Sequence, residues 1–488
     1  MKTISKNFFA IGLVVFAVAS GALAQENKLP DTPTGKIVAA YLSAFNSGEA
    51  NKMQAFQSEH FAQAVLQRRT NEERRQMYER IYGDLGALEL YRVTETADRA
   101  ITIQTQSQKG EAAEFRFEFE PQPPYKITGI RVELMPAEAL AENDNTKLPA
   151  TAAELLVQAK AYLEEQARAD EFSGAVLIAR NGNILLQEAY GFASREHEAP
   201  NRIDTKFNLG SINKAFTQIA ICQLMQQGQL APSDLLGKHL PDYPNREVAQ
   251  KVTIHHLLTH RSGLGDFFNE KFENTPKDRI RTLQDYLALF VDEPLLFAPG
   301  TQQRYSNGGY IVLGLIIEKI SGQNYFDYVR EHVYQPANMS NTGSYELDAV
   351  VPNLATGYSR NARATANGER TKNIYTKPAR GSSAGGGYST LADMHNFGLS
   401  LLDNKLLNST YTAWLLNGFE SPQPVPQANA NVRREGGYGI AGGAPGINAV
   451  MEIDFETGYT IIVLANDDPP TAQRVNRKLL SWIQKVKN

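Results

Sequence analysis

The chain has 488 residues, more than one hydrophobic core usually serves, so two or three domains are expected. Its 49 basic and 53 acidic residues leave a net charge of -4, which argues against a nucleic-acid binder or a polybasic membrane surface. Cys222 is the only cysteine, which excludes an intrachain disulfide and a multi-cysteine zinc site. Residues 1–24 read as an export signal: Lys2 and Lys6, then the apolar run "FFAIGLVVFAVASGA", then the small-x-small site Ala22-Leu23-Ala24. No other stretch approaches the roughly 20 apolar residues that span a bilayer. The mature protein is therefore expected to be periplasmic or secreted, without stable membrane insertion.

Residues 26–135 form a first block. "TGKIVAAYLSAFNSGEANKMQAF" carries Val38, Leu42 and Phe45 at helical spacing, and "NEERRQMYERIYGDLG" predicts a second helix that ends on glycine. The period then becomes two. In "EFRFEFE", Phe115, Phe117 and Phe119 alternate with charges, as on a half-buried antiparallel strand. "LELYRV", "AITIQTQ" and "KITGIRVEL" predict further strands. Helices followed by strands make a small α+β domain, similar in layout to SnoaL-like and ketosteroid-isomerase-like domains. It carries no catalytic motif and is expected to be an accessory module or to hold a homodimer together.

Residues 136–151 are polar, lack a period and read as a linker. A larger domain, 152–488, opens on a hairpin around Asn181-Gly182-Asn183 and closes on a second hairpin around Glu456-Thr457-Gly458 followed by a terminal helix. Strands at both ends predict one sheet built from both termini.

Between them lies "FNLGSINKAF". Ser211 opens a helical stretch in which Ile212, Phe216, Ile219, Cys222 and Met225 recur every three or four residues. Lys214 is one turn along, within reach of the Ser211 hydroxyl. Serine is a weak nucleophile without an adjacent base, and a lysine serves once burial lowers its pKa. The segment "FAPGTQQRYSN" then places Tyr305 and Asn307 before an apolar helix; a tyrosine can exchange a proton with such a pair and an asparagine can orient the lysine.

Together these residues resemble the serine β-lactamase and penicillin-binding protein superfamily, in the Y-x-N form of class C β-lactamases and related esterases and D-aminopeptidases. "TIHHLLTHRSGL" at 253–264 is similar to its H-L-L-x-H-x-S-G-L loop. "AGGGYSTLADM" at 384–394 is similar to its G-G-x-x-S-T-x-x-D segment, with Ser389 or Thr390 capping a helix. The resemblance covers about residues 150–488. It implies an α+β fold, an antiparallel sheet flanked by helices plus a helical region. It also implies Ser211 as the acylated nucleophile, Lys214 and Tyr305 as the proton-transfer pair with the base left open, and Asn307 as a supporting hydrogen-bonder. The N–H groups of Ser211 and Gly443 would hold the oxyanion. Neither metal nor organic cofactor is implied.

One motif departs. The family's strand motif K-T-G or H-x-G falls on "YGIAGGAPGINA", with Ile440 where a cation is expected. Arg433 and Arg434 are the nearest preceding cations. Without that cation a carboxylate-bearing substrate is less favoured and a neutral or apolar acyl group more so. An esterase is therefore expected first; a D-amino-acid peptidase or weak β-lactamase, and a non-catalytic binding protein, are the alternatives. "GSSAG" at 381–385 imitates a nucleophile elbow at Ser383 but lacks the strand before and the helix after. His255, His256 and His260 fall inside the H-L-L-x-H segment and are expected to pack and hydrogen-bond rather than bind metal.

Overall fold

The computed structural model describes residues 28–66, 70–97, 99–108, 112–135, 149–360, 369–425 and 437–486. The export signal, most of the linker, and Arg433 and Arg434 lie outside them. The chain divides into two compact units, 1–147 and 148–488. Among the described residues no helix is long and apolar enough to cross a membrane.

The first unit sets helices α1 (Pro33–Asn46), α2 (Ala50–His60) and α3 (Asn71–Leu85) against a sheet. Thr32 caps α1 by accepting from the Gly35 N–H. Val38, Leu42 and Phe45 face inward, as their spacing predicts. The sheet is an antiparallel meander, β1 (Leu88–Ala97), β2 (Ala100–Ser107), β3 (Ala112–Phe119) and β4 (Ile127–Met135), in that order. Phe115, Phe117 and Phe119 alternate into the core beneath the helices.

The second unit is built on a five-stranded antiparallel sheet. Helix α4 (Ala152–Arg168) precedes β5 (Gly174–Arg180) and β6 (Asn183–Tyr190). The far end supplies β7 (Gly437–Ala444), β8 (Ile447–Asp454) and β9 (Tyr459–Ala465), and the order is β7-β8-β9-β5-β6. Both termini therefore do build one sheet. The β5–β6 turn is the two residues Asn181 and Gly182, at φ 50° and 82°, a left-handed pair that suits Asn-Gly.

β5 is buried on both faces. Val176 and Ile178 pack with α4 and the terminal helix, whereas Ala175, Leu177 and Ala179 join the core of the helical region. That second core surrounds helix α5 (Asn213–Gln226), helix α6 (Asn307–Ser321) and helix α7 (Leu391–Leu402). Thr390, rather than Ser389, caps α7 by accepting from the Asp393 N–H. Helix α8 (Thr471–Ile483) completes the outer face.

Candidate active site

The nucleophile segment crosses the edge of the sheet at very short range. Gly210, at φ 52°, begins a 3-10 turn that carries Ser211 and leads into α5, so the regular helix starts two residues after the serine. A Cβ on Gly442 would lie 2.0 Å from the Leu209 carbonyl and 2.7 Å from the Ser211 nitrogen. No side chain fits between strand β7 and this turn. The glycine-rich loop locks the other side: Leu209 N–H donates to the Gly387 carbonyl at 2.7 Å and Gly386 N–H to the Gly210 carbonyl at 3.1 Å. Asn208 adds its own clamp, accepting from the Gly210 N–H and donating to the Gly386 carbonyl.

Four of the five expected site residues meet through their side chains. The Tyr305 hydroxyl donates to Ser211 Oγ at 2.7 Å. Lys214 Nζ is 3.3 Å from the same Oγ. Lys214 also donates to Asn307 Oδ1 at 2.7 Å and to the Ala384 carbonyl at 2.5 Å. Its Nζ lies over the rings of Tyr305 and Tyr310. Gly443, the fifth, lines the same cavity as Ser211 from the end of β7.

Burial sets the charges. Lys214 is only 6% exposed, and loss of water pushes its amine from 10.5 down to about 7, with the Asp266 carboxylate pulling the other way. Tyr305 keeps 52% of its surface open, yet the protein packed around its phenol pushes that group above its usual 10.0. His260 stacks on Tyr305 at 4.6 Å between ring centres and accepts from the Ser306 N–H through Nδ1. Burial first, then the Lys214 charge, hold His260 down at about 4, so its ring is neutral there near pH 7.

Several supporting residues carry no local sequence signal. Asp266 accepts from Asn307 Nδ2 at 2.6 Å. Ser306 caps α6 and donates to the Gly265 carbonyl, fixing the loop that holds Tyr305. Buried Asn448 donates to the Gly442 carbonyl and accepts from the Ala472 N–H, tying down the strand that carries Gly443.

The remaining candidates fall where packing places them. Ile440 is half-buried against the helical-region core and is not among the cavity-lining residues, so this position of β7 offers no cation. Ser383 is buried in a tight turn with no strand before it, and its carbonyl accepts from Thr217. His255 bonds the Phe419 carbonyl and His256 completes a helix-capping box with Thr253. Cys222 is a buried apolar contact on α5.

The cavity before Ser211 holds about 530 Å³. Phe267, Phe268, Phe272, Tyr286, Tyr345 and Tyr375 contribute aromatic surface to its walls.

A serine held beside a buried amine and a phenol, at the mouth of such a cavity, defines a serine hydrolase. A family model described as Beta-lactamase matches residues 160–483, and the chain belongs to that family of serine hydrolases, with its β-lactamase/transpeptidase-like fold. The candidate penicillin-binding protein PbpX of Bacillus subtilis (strain 168) is similar: 31% identical over 312 residues, 63% of this chain and 74% of that protein. Esterase EstB of Burkholderia gladioli is 35% identical over 217 residues, 42% of this chain and 55% of that protein. A solved penicillin-binding protein from Bacillus halodurans has a TM-score of 0.58 at 31% identity, covering 66% of this chain and 98% of that chain.

Proposed function

We propose that the protein is an exported esterase that hydrolyses bulky, largely apolar acyl esters through an acyl-enzyme on Ser211. The hydrogen-bonding of Lys214 carries this reading. A neutral amine has two N–H donors and one lone pair. Asn307 Oδ1 and the Ala384 carbonyl accept two N–H groups, and the third position of Nζ faces Ser211 Oγ at 3.3 Å, so loss of one proton from the ammonium turns a lone pair toward Oγ. With its pKa near 7, Lys214 is the resting base, whereas a phenol pushed upward stays protonated. Tyr305 then donates to Oγ and stands ready to pass a proton to the leaving alkoxide.

In the first half-reaction Oγ attacks the ester carbonyl, its proton goes to Lys214, and the C–O bond to the alcohol breaks as that oxygen is protonated. In the second, water attacks the acyl-serine and loses a proton to the same pair, the acyl C–Oγ bond breaks as that pair returns a proton to Ser211 Oγ, and the carboxylic acid leaves. The N–H groups of Ser211 and Gly443 hold the oxyanion in both, each such donor contributing about 3 kcal/mol. The aromatic cavity favours an apolar acyl group, as does Ile440, and EstB is an esterase by name. The charged start, apolar run and Ala22-Leu23-Ala24 support export.

Intact-mass measurement after brief exposure to 4-nitrophenyl butyrate tests this. The wild type gains one butyryl group that decays as nitrophenol release continues, and Ser211→Ala gains none. Wild-type protein that neither gains the mass nor releases nitrophenol refutes the esterase and leaves a binding role.

A further inference from the structure

Two lysines, Lys277 and Lys377, line the cavity, and their ammonium groups differ in one respect. Lys277 spends its donors on the carbonyls of Phe272, Glu273 and Thr275. An ammonium has three N–H groups, so Lys277 is saturated. Lys377 donates to the hydroxyl of Tyr388 at 2.7 Å, over whose ring it also lies. Tyr388 is 2% exposed and fixed through its backbone to Gly343 and the Asn208 strand, so its hydroxyl is a rigid anchor. Glu273 is the one carboxylate lining the cavity among the described residues, and it makes no ion pair with Lys377. Lys377 is thus a half-buried cation that lines the cavity, hydrogen-bonded to Tyr388 and in no ion pair among the described residues. A charge so placed is stabilised by an anion that fills the space before it.

We propose that Lys377 reads a carboxylate on the substrate, making this site selective for esters whose apolar body ends in an acid. The inference rests on the hydrolytic reading above and narrows its substrate class. It also gives the cavity an anion-binding group from the loop before the glycine-rich segment, where β7 offers Ile440. Tyr388 sets the position of the ammonium, and the aromatic walls hold the chain between the carboxylate and the reacting carbonyl.

The test compares kcat/KM for mono-4-nitrophenyl glutarate with that for 4-nitrophenyl butyrate, in wild type, Lys377→Met and Lys377→Arg. A charge-assisted hydrogen bond predicts that the glutarate-to-butyrate ratio falls at least about tenfold in Lys377→Met, chiefly through KM, and recovers in Lys377→Arg. Added salt should raise KM for the glutarate ester more than for the butyrate ester. A ratio that stays the same in Lys377→Met overturns the inference, whether both rates fall together or neither does. A wild type inert on both esters refutes the hydrolytic reading itself, and the selectivity with it.

Discussion

Replacing Lys214 by methionine removes one titrating group while nearly keeping its volume, and it separates function from stability. The gap between 10.5 and about 7 corresponds to at most about 5 kcal/mol of unfavourable ammonium burial, at ~1.4 kcal/mol per pH unit. The sign follows from proton counts. Below pH 7 the lysine is protonated both folded and unfolded, so the full cost is present and does not vary. Between about 7 and 10.5 the unfolded chain binds the proton and the folded chain does not, so stability rises with pH. The methionine variant lacks that rise, and every other titrating group is shared. Wild type should therefore gain about 2.5 kcal/mol on the variant between pH 7.5 and 9.5. Urea unfolding followed by tryptophan fluorescence reads this directly, because Trp414 and Trp482, the only tryptophans, both lie in the second unit. The fixed offset between the two proteins also contains the unpaired Asn307 and Ala384 oxygens left by the variant; the pH slope does not. Parallel stability curves from pH 7.5 to 9.5 would show that Lys214 stays protonated in the fold, and the resting-base assignment would fall.

The same amine sets the rate profile: kcat/KM for 4-nitrophenyl butyrate should rise through an apparent pKa of about 7 and stay level to about pH 9, since Tyr305 is pushed above 10.0. A falling limb below pH 9 would count against Tyr305 as the protonated partner. Tyr305→Phe should lower kcat by about a hundredfold or more while keeping the rising limb, because the hydroxyl 2.7 Å from Oγ is lost and the base is not. Gly442→Ala should cost about 1–3 kcal/mol in urea unfolding and about a hundredfold in kcat, since its Cβ meets backbone atoms of Leu209, Gly210 and Ser211; unchanged values would mean that β7 can move away from the nucleophile turn.

Local chemistry was legible wherever one segment decides it. Asn181-Gly182 announced the hairpin, and Phe115, Phe117 and Phe119 announced the inner face of β3. The spacing of Ser211 and Lys214 placed both groups on one helix turn, and 3.3 Å separates them. What the sequence withheld depends on segments meeting. Asp266 reaches Asn307 across 41 residues, and Ala384 reaches Lys214 across 170. Nothing near Lys377 marks it as facing the same cavity as Ser211. The choice between Lys214 and Tyr305 as base was open for the same reason, because α6 and the glycine-rich loop supply the burial that decides it. The 3-10 turn before α5 is a smaller case: the close crossing of β7 at Gly442, invisible in the local pattern, shapes it.

The placement of Asp266 explains how a carboxylate can sit in this site without spoiling the base. A direct Asp–Lys pair would favour the ammonium and lift its pKa. Here the Asn307 side chain stands between them. Its Nδ2 donates to Asp266, which requires its Oδ1 to face Lys214 and accept there. The amide thus transmits orientation while keeping the negative charge one side chain away, and burial prevails over attraction at Lys214. The missing cation on β7 fits the same scheme. A positive charge beside Tyr305 would pull the phenol down toward phenolate and make it the competing base. With Ile440 packed into the core, no charge from that position acts on Tyr305, and the phenol stays a donor.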